Sequence, residues 1–167
     1  MLFRSLLDGT QVGPVVERAG LDKIQAQVQD ALARGARATT GGQAAGGLYF
    51  QPTVLTDVHP DSVILREETF GPVAPVVVFD TEEEGLALAN ASEFGLAAYA
   101  YTRDLGRAFR VAEGLEYGIV GLNDGLPSAN APHIPFGGMK NSGVGREGGH
   151  WGLDEYLETK FISLSLV

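Results

Sequence analysis

Arg66-Glu67-Glu68-Thr69-Phe70-Gly71-Pro72-Val73-Ala74-Pro75-Val76-Val77-Val78-Phe79 is the stretch that decides how this chain is read. From Val73 to Phe79 it is nearly continuously apolar and rich in valine, the pattern of a strand covered on both faces, and such strands belong to parallel sheets. Parallel strands need crossovers, and the residues that follow supply them. Thr81 with Glu84 makes a capping box, Glu82 and Glu83 add negative charge to the first helical turn, and Leu86 to Ala91 continue the helix. Leu96 to Thr102 reads as the next strand and Asp104 as an N-cap. Leu105, Ala108, Phe109, Ala112 and Leu115 form a second apolar stripe, and Ile119 to Asn123 is another strand. Strand, helix and strand in alternation predict an α/β fold: a mostly parallel sheet with helices on its faces and right-handed crossovers.

Working upstream, Leu21, Ile24, Val28, Ala31 and Leu32 recur at helical spacing, and Gly35 stands where a left-handed C-cap belongs. Ala36 to Thr40 and Thr53 to Val58 are short β-prone runs, separated by the glycine-rich stretch from Gly41 to Gly47, which reads as a loop. Met1 to Leu7 reads as the end of a helix. Downstream of Asn123 the pattern changes: residues 124–150 carry glycines at 125, 137, 138, 143, 145, 148 and 149 and prolines at 127, 132 and 135. That density predicts a long irregular loop at the C-terminal end of a strand, where ligand contacts gather. A short helix around Leu153 to Glu158 and an apolar tail, Phe161 to Val167, close the chain.

With 167 residues, 44% of them hydrophobic and 20% charged, the chain can bury a core and is not of disordered composition. Its 12 Lys and Arg against 21 Asp and Glu give a formal net charge of −9, which provides no attraction to nucleic acid or to an anionic membrane. No run approaches the ~20 apolar residues of a membrane-spanning helix, and Met1 to Leu7 is too short for a signal-peptide core, so a cytoplasmic location is the expectation. The sequence contains no cysteine, which removes disulfides, thiolate metal sites and thiol catalysis together. His59, His133 and His150 are too far apart for a helical ligand pair, so no metal site is expected.

Several segments occur in an order that identifies a family. Asp8-Gly9-Thr10-Gln11-Val12-Gly13-Pro14, Gly41-Gly42, Tyr49 to Leu55, Arg66 to Pro72, Glu93-Phe94-Gly95-Leu96 and Lys140 to Glu147 follow one another as they do in the C-terminal part of the catalytic domain of NAD(P)-dependent aldehyde dehydrogenases. The resemblance covers nearly the whole chain. Asn123 to Ser128 and Gly152 to Glu158 are most similar to succinate-semialdehyde dehydrogenases. Pro132-His133-Ile134-Pro135 departs from them toward the aromatic-aldehyde branch. The resemblance implies residues 1–160 as a partial catalytic domain and 161–167 as a C-terminal oligomerisation strand.

It also assigns roles. In the family the second glutamate of Glu-Glu-x-Phe-Gly-Pro accepts hydrogen bonds from the ribose beside the nicotinamide of NAD or NADP, and the phenylalanine packs beside that ring; these roles fall on Glu68 and Phe70. Read from composition alone, the same residues are a surface glutamate pair and a core phenylalanine. Phe136, in Pro135-Phe136-Gly137-Gly138, resembles the aromatic residue that lines the substrate tunnel, and equally serves as a loop anchor. Ser128 stands where the semialdehyde enzymes hold the distal carboxylate of the substrate, although the arginines of that clamp are not in this sequence and an ordinary turn serine is the competing reading.

Gly143-Val144-Gly145-Arg146-Glu147-Gly148 fits G-x-G-x-x-G, but an irregular loop precedes it where a dinucleotide fingerprint requires a buried strand. The glycines serve backbone conformation instead. Lys140 and Arg146 are read as solvated or ion-paired, His133 and His150 as loop packing, and Trp151 as a packing anchor. The chemistry of the family is attack by a cysteine thiolate on the aldehyde, hydride transfer to NAD(P)+ and hydrolysis of the thioester. The cysteine, the glutamate base, the oxyanion asparagine and the cofactor domain have no counterpart here, and no Ser or Thr stands in a nucleophile elbow. The expectation is a truncated aldehyde dehydrogenase, inactive as an isolated chain and binding the cofactor weakly. The alternatives are an oligomerisation module that pairs with itself or with a full-length paralogue, and a split subunit completed by an N-terminal fragment. The sequence does not name the aldehyde, and the residues that separate NAD from NADP belong to the cofactor domain that the family carries outside this segment.

Overall fold

The computed structural model describes residues 8–125 and 132–166. The readings made for Met1 to Leu7, for Ser128 and for residues 126–131 of the long loop therefore lie outside the described residues. The chain divides into two compact units, Met1–Phe79 and Asp80–Val167.

The first unit begins with helix α1, Arg18–Ala33, which buries Leu21, Ile24, Val28 and Ala31 on one face. Its end follows from one glycine. Gly35 has φ +104, its N–H donates to Leu32 O at 3.1 Å, and the Ala36 N–H donates to Ala31 O at 3.0 Å, the paired bonds of a Schellman cap. Strands β1 (Arg37–Thr40), β2 (Thr53–Thr56) and β3 (Val73–Pro75) follow, with β2 central, antiparallel to β1 and parallel to β3. Between β1 and β2 the loop is closed by Thr53, whose hydroxyl accepts from the Gly42 N–H and donates to Gln51 O. Leu55 and Thr53 point inward from β2, and Leu55, Phe50 and Ile64 join the α1 residues in one cluster. Ile64 belongs to a single 3-10 turn, Val63–Leu65, that leads into the Arg66 to Pro72 segment.

The strand expected from Val73 to Phe79 is shorter and differently covered. Its ladder ends at Pro75, with one further bond from the Val76 N–H to Leu55 O, and Val76, Val78 and Phe79 are exposed. Exposure alternates along it, so a continuous apolar run here does not mean cover on both faces. The proline sits on an edge strand, where its missing N–H removes no ladder bond.

The second unit starts with α2, Glu82–Asn90, capped by the Thr81 side chain accepting from the Glu84 N–H while the Glu84 carboxylate accepts from the Asp80 N–H. The strands β4 (Phe94–Gly95) and β5 (Ala97–Ala100), the helix α3 (Leu105–Gly114) and the strand β6 (Ile119–Leu122) come next. Asp104 caps α3 through the Arg107 N–H, and β5 and β6 pair in parallel, so β5-α3-β6 is the strand–helix–strand unit expected from the sequence. The Asn123 carboxamide continues the pairing with bonds to the Thr102 N–H and C=O, both 2.9 Å. The last strand, β7 (Met139–Lys140), pairs antiparallel with β4, and the helix α4 spans Trp151–Asp154.

The class is α/β, built from three short sheets that are mixed in direction. Glu82 does more than favour the start of α2: its carboxylate accepts from Arg107 and Arg110 of α3, which hold it below the usual carboxylate range, the Arg110 hydrogen bond first. The apolar stripe on α3 is only partly covered, with Ala112 and Leu115 half-buried. Among the described residues of this unit Ala108 is the one buried hydrophobic side chain, while Leu105 and Phe109 are exposed. Residues 161–166 join no ladder with any described strand of the chain.

Candidate functional site

Glu68 and Phe70 lie in a segment that the first unit fixes at several points. The Arg66 and Glu67 N–H groups donate to Val63 O, which anchors the N-terminal end on the 3-10 turn. The Thr53 N–H donates to Pro72 O at 2.8 Å and joins the C-terminal end to the β2–β3 ladder. Between these points α1 takes hold. Gln27, only 2% exposed, donates from Nε2 to Glu67 O at 3.1 Å and accepts at Oε1 from the Thr69 hydroxyl at 2.6 Å. Asp30, one turn further, accepts from the Val63 N–H and from Arg34, and those bonds, the Arg34 one first, hold its carboxyl below the usual range.

The two adjacent glutamates, indistinguishable in the sequence, are separated by this geometry. The carbonyl of Glu67 is bound by Gln27 and its carboxylate lies 3.7 Å from Lys23 Nζ, in an exposed pair worth little by itself. Glu68 is exposed and takes part in none of the hydrogen bonds or ion pairs found among the described residues. Both of its oxygens are therefore open to a ligand, and a carboxylate can accept two hydroxyl protons at once. Phe70 is 81% exposed, so among the described residues it does not take the core place that composition alone suggested.

Phe136 lies in the second unit. Its N–H donates to Glu147 O and its carbonyl accepts from the Glu147 N–H, so the residue is one half of an antiparallel bridge. The turn beside it admits no side chains: a β-carbon on Gly137 would meet Gly145 O at 2.6 Å, and one on Gly138 would meet the Ser142 β-carbon closer still. Arg146 closes this loop by donating from Nη1 to Gly138 O and Gly145 O. Its job is thus to satisfy carbonyls in the loop, which corrects the solvated or ion-paired reading. Lys140 is ion-paired, with Glu116 at 2.9 Å, and also donates to the carbonyls of Asn90 and Ser92. His150 stacks on Trp151 with ring centroids 3.8 Å apart, in keeping with packing roles. Gly143, Gly145 and Gly148 all have positive φ and no buried strand leads into them, so the G-x-G-x-x-G match is conformational.

Sequence reasoning passed over Gln27 and Asp30. A signal existed for Gln27, which stands three residues after Ile24 and four before Ala31 and hence on the apolar face of α1.

The aldehyde dehydrogenase family profile matches residues 4–162. A succinate semialdehyde dehydrogenase of Acinetobacter baylyi is 48% identical over 155 residues, which are 92% of this chain and 32% of that protein. Among solved structures, a succinate-semialdehyde dehydrogenase from Burkholderia pseudomallei superposes with a TM-score of 0.88 at 52% identity, covering 93% of this chain and 32% of the other. An Escherichia coli NADP dependent enzyme superposes with a TM-score of 0.91 at 48% identity, covering 96% and 34%. The chain spans about a third of the length of the relatives it matches.

Proposed function

The chain belongs to the aldehyde dehydrogenase family, and from that premise we propose that its residues form the nicotinamide-holding, C-terminal part of the catalytic domain of a semialdehyde dehydrogenase and do not turn over an aldehyde by themselves. The observation that carries the reading is the contrast within the Glu67 to Phe70 segment: backbone held from below by Gln27, Glu68 and Phe70 left open to a ligand. In this role Glu68 accepts the hydroxyl protons of the ribose, and Phe70 flanks the nicotinamide. Covering a ring of that size is worth about 1.5–3 kcal/mol. NAD or NADP, when bound, supplies the hydride acceptor. Phe136 contributes an apolar wall to the aldehyde tunnel, and Ser128 a hydroxyl for the distal carboxylate of a semialdehyde.

Inactivity in isolation rests on the nucleophile. Thiol addition to the aldehyde is the step that makes a hydride donor, and a sequence without cysteine has no group to perform it. Catalysis then requires a second polypeptide segment that brings the thiolate to the nicotinamide. The test is co-expression with the N-terminal two-thirds of a close relative, carrying its cysteine and cofactor domain, followed by absorbance of reduced nicotinamide with succinic semialdehyde. Activity of the pair and none from either piece supports the reading. Turnover by the purified chain alone, above a heat-treated control, overturns it.

A second reading is assembly, and the uncovered tail favours it. Phe161, Ile162, Leu164 and Leu166 are all exposed and uncharged, and an apolar, β-prone segment of that kind can add as a strand to another chain. Association with itself or with a full-length paralogue fits this surface.

A further inference from the structure

The role proposed for Glu68 needs its backbone held in place, and local bonds reach only its flanks, from the Glu67 N–H to Val63 O and from the Gly71 N–H to Thr69 O. No regular helix or ladder includes Glu67, Glu68 or Thr69. We propose that Gln27 is the positioning residue for this ribose-accepting segment. The inference rests on the roles given above to Glu68 and Phe70.

The chemistry of a carboxamide fits the task closely. Glu67 O can only accept, so the nitrogen of Gln27 must face it; the oxygen then faces the Thr69 hydroxyl, which must donate. One planar group thereby holds the segment on both sides of Glu68, through the Glu67 carbonyl at 3.1 Å and through the Thr69 side chain at 2.6 Å. The amide itself cannot swing. It projects from the middle of a helix of 16 residues, it is almost fully buried, and its neighbours Ile24, Val28 and Ala31 are core residues. Burying a primary amide on an apolar helical face is costly unless both ends are satisfied, and here both ends are satisfied by the one segment that carries the candidate ligands. A leucine would pack the same face without restraining Glu68, so packing does not account for the glutamine.

The test uses the full chain labelled with 15N, amide hydrogen exchange, and titration with nicotinamide mononucleotide, the half of the cofactor that Glu68 and Phe70 would meet. Gln27→Leu should speed exchange at the Glu67 and Gly71 amides at least tenfold while Val28 and Leu55 exchange as before, and should raise the dissociation constant for the nucleotide at least tenfold. Thr69→Val, which removes one of the two bonds and keeps the shape, should give a smaller change of the same kind, and adding it to Gln27→Leu should do nothing more. Val28→Ala, which weakens the same helix without touching the segment, should leave nucleotide affinity unchanged per folded molecule; an equal loss there would reduce Gln27 to general stability and overturn the proposal. Exchange and affinity in Gln27→Leu that match the unsubstituted chain would overturn it too. Absence of any response at Glu67 to Gly71 in the unsubstituted chain would instead sink the roles of Glu68 and Phe70, and the positioning role with them.

Discussion

Gly71 lies so close to Ile24 that a β-carbon built on the glycine would overlap the isoleucine Cδ1. Helix α1 therefore supports the Glu67 to Pro72 segment in two ways, by the hydrogen bonds that Gln27 donates to Glu67 O and accepts from Thr69, and by direct contact from Ile24. The first fixes the peptide beside Glu68; the second fixes the backbone just past Phe70.

Gly71→Ala should accordingly push the segment off the helix or force Ile24 out of its rotamer. Overpacking of this kind costs about 1–3 kcal/mol. Urea denaturation of the two chains measures it, and Gly71→Ala combined with Ile24→Val should recover part of the loss because the clashing Cδ1 is gone. An unchanged midpoint in Gly71→Ala would mean that the contact relaxes freely.

Glu68→Gln separates binding from chemistry once the chain has been completed by an N-terminal partner. The carboxamide keeps the size but can accept with only one of its two polar atoms, so the ribose loses an acceptor and the nicotinamide its fixed place. Hydride transfer in a single turnover should slow by about tenfold or more, while thiol addition proceeds as before, since Glu68 orients the cofactor and does not touch the nucleophile. Equal single-turnover rates would remove Glu68 from the mechanism.

The β5-α3-β6 unit and the helix caps were legible in the sequence because local rules decide them: Gly35 can take a positive φ at no steric cost, and Thr81 and Asp104 offer an oxygen to the first free N–H groups. Cover was not legible. Val73 to Phe79 and the α3 stripe both read as buried, yet Val78, Leu105 and Phe109 are exposed. An apolar run records what a residue packs against in the complete setting of its fold, and here that setting exceeds the chain by about threefold in the relatives. The candidate site divides in the same way. Glu68 and Phe70 were nominated by resemblance, whereas Gln27, although its place on the apolar face of α1 sets it apart, and Asp30 bind groups 40 and 33 residues away that no local pattern reveals.

Asp30 makes the first unit sensitive to acid. Hydrogen bonds from Arg34 and from the Val63 N–H lower its folded value, so the unfolded chain binds the proton more readily than the folded one. Its contribution is complete above the free carboxylate value of about 3.9 and is lost as pH falls through the lower folded value. Asp30→Asn should therefore be less stable than the unsubstituted chain near pH 7, with the gap narrowing at about pH 3. Urea midpoints at the two values are the check, and a gap that does not change with pH would assign the effect to lost geometry and not to charge.

The tail offers a test of assembly that is independent of the cofactor. Phe161-Ile162-Ser163-Leu164-Ser165-Leu166-Val167 follows Lys160 without charge or proline, and residues 161–166 find no ladder partner among the described residues, a segment suited to pairing with another strand. In the family that this chain belongs to, the resemblance implies a C-terminal strand that joins sheets across subunits. Light scattering on the intact chain should give a mass above that of a monomer, and a chain ending at Lys160 should return to the monomer. The loss should be steep, because four large apolar side chains leave the interface together and pairing of strands is cooperative along their length. Both chains running as monomers would rule the tail out as an interface. Both associating would move the contact to the exposed α3 stripe, where Leu105→Ser with Phe109→Ser should then abolish it.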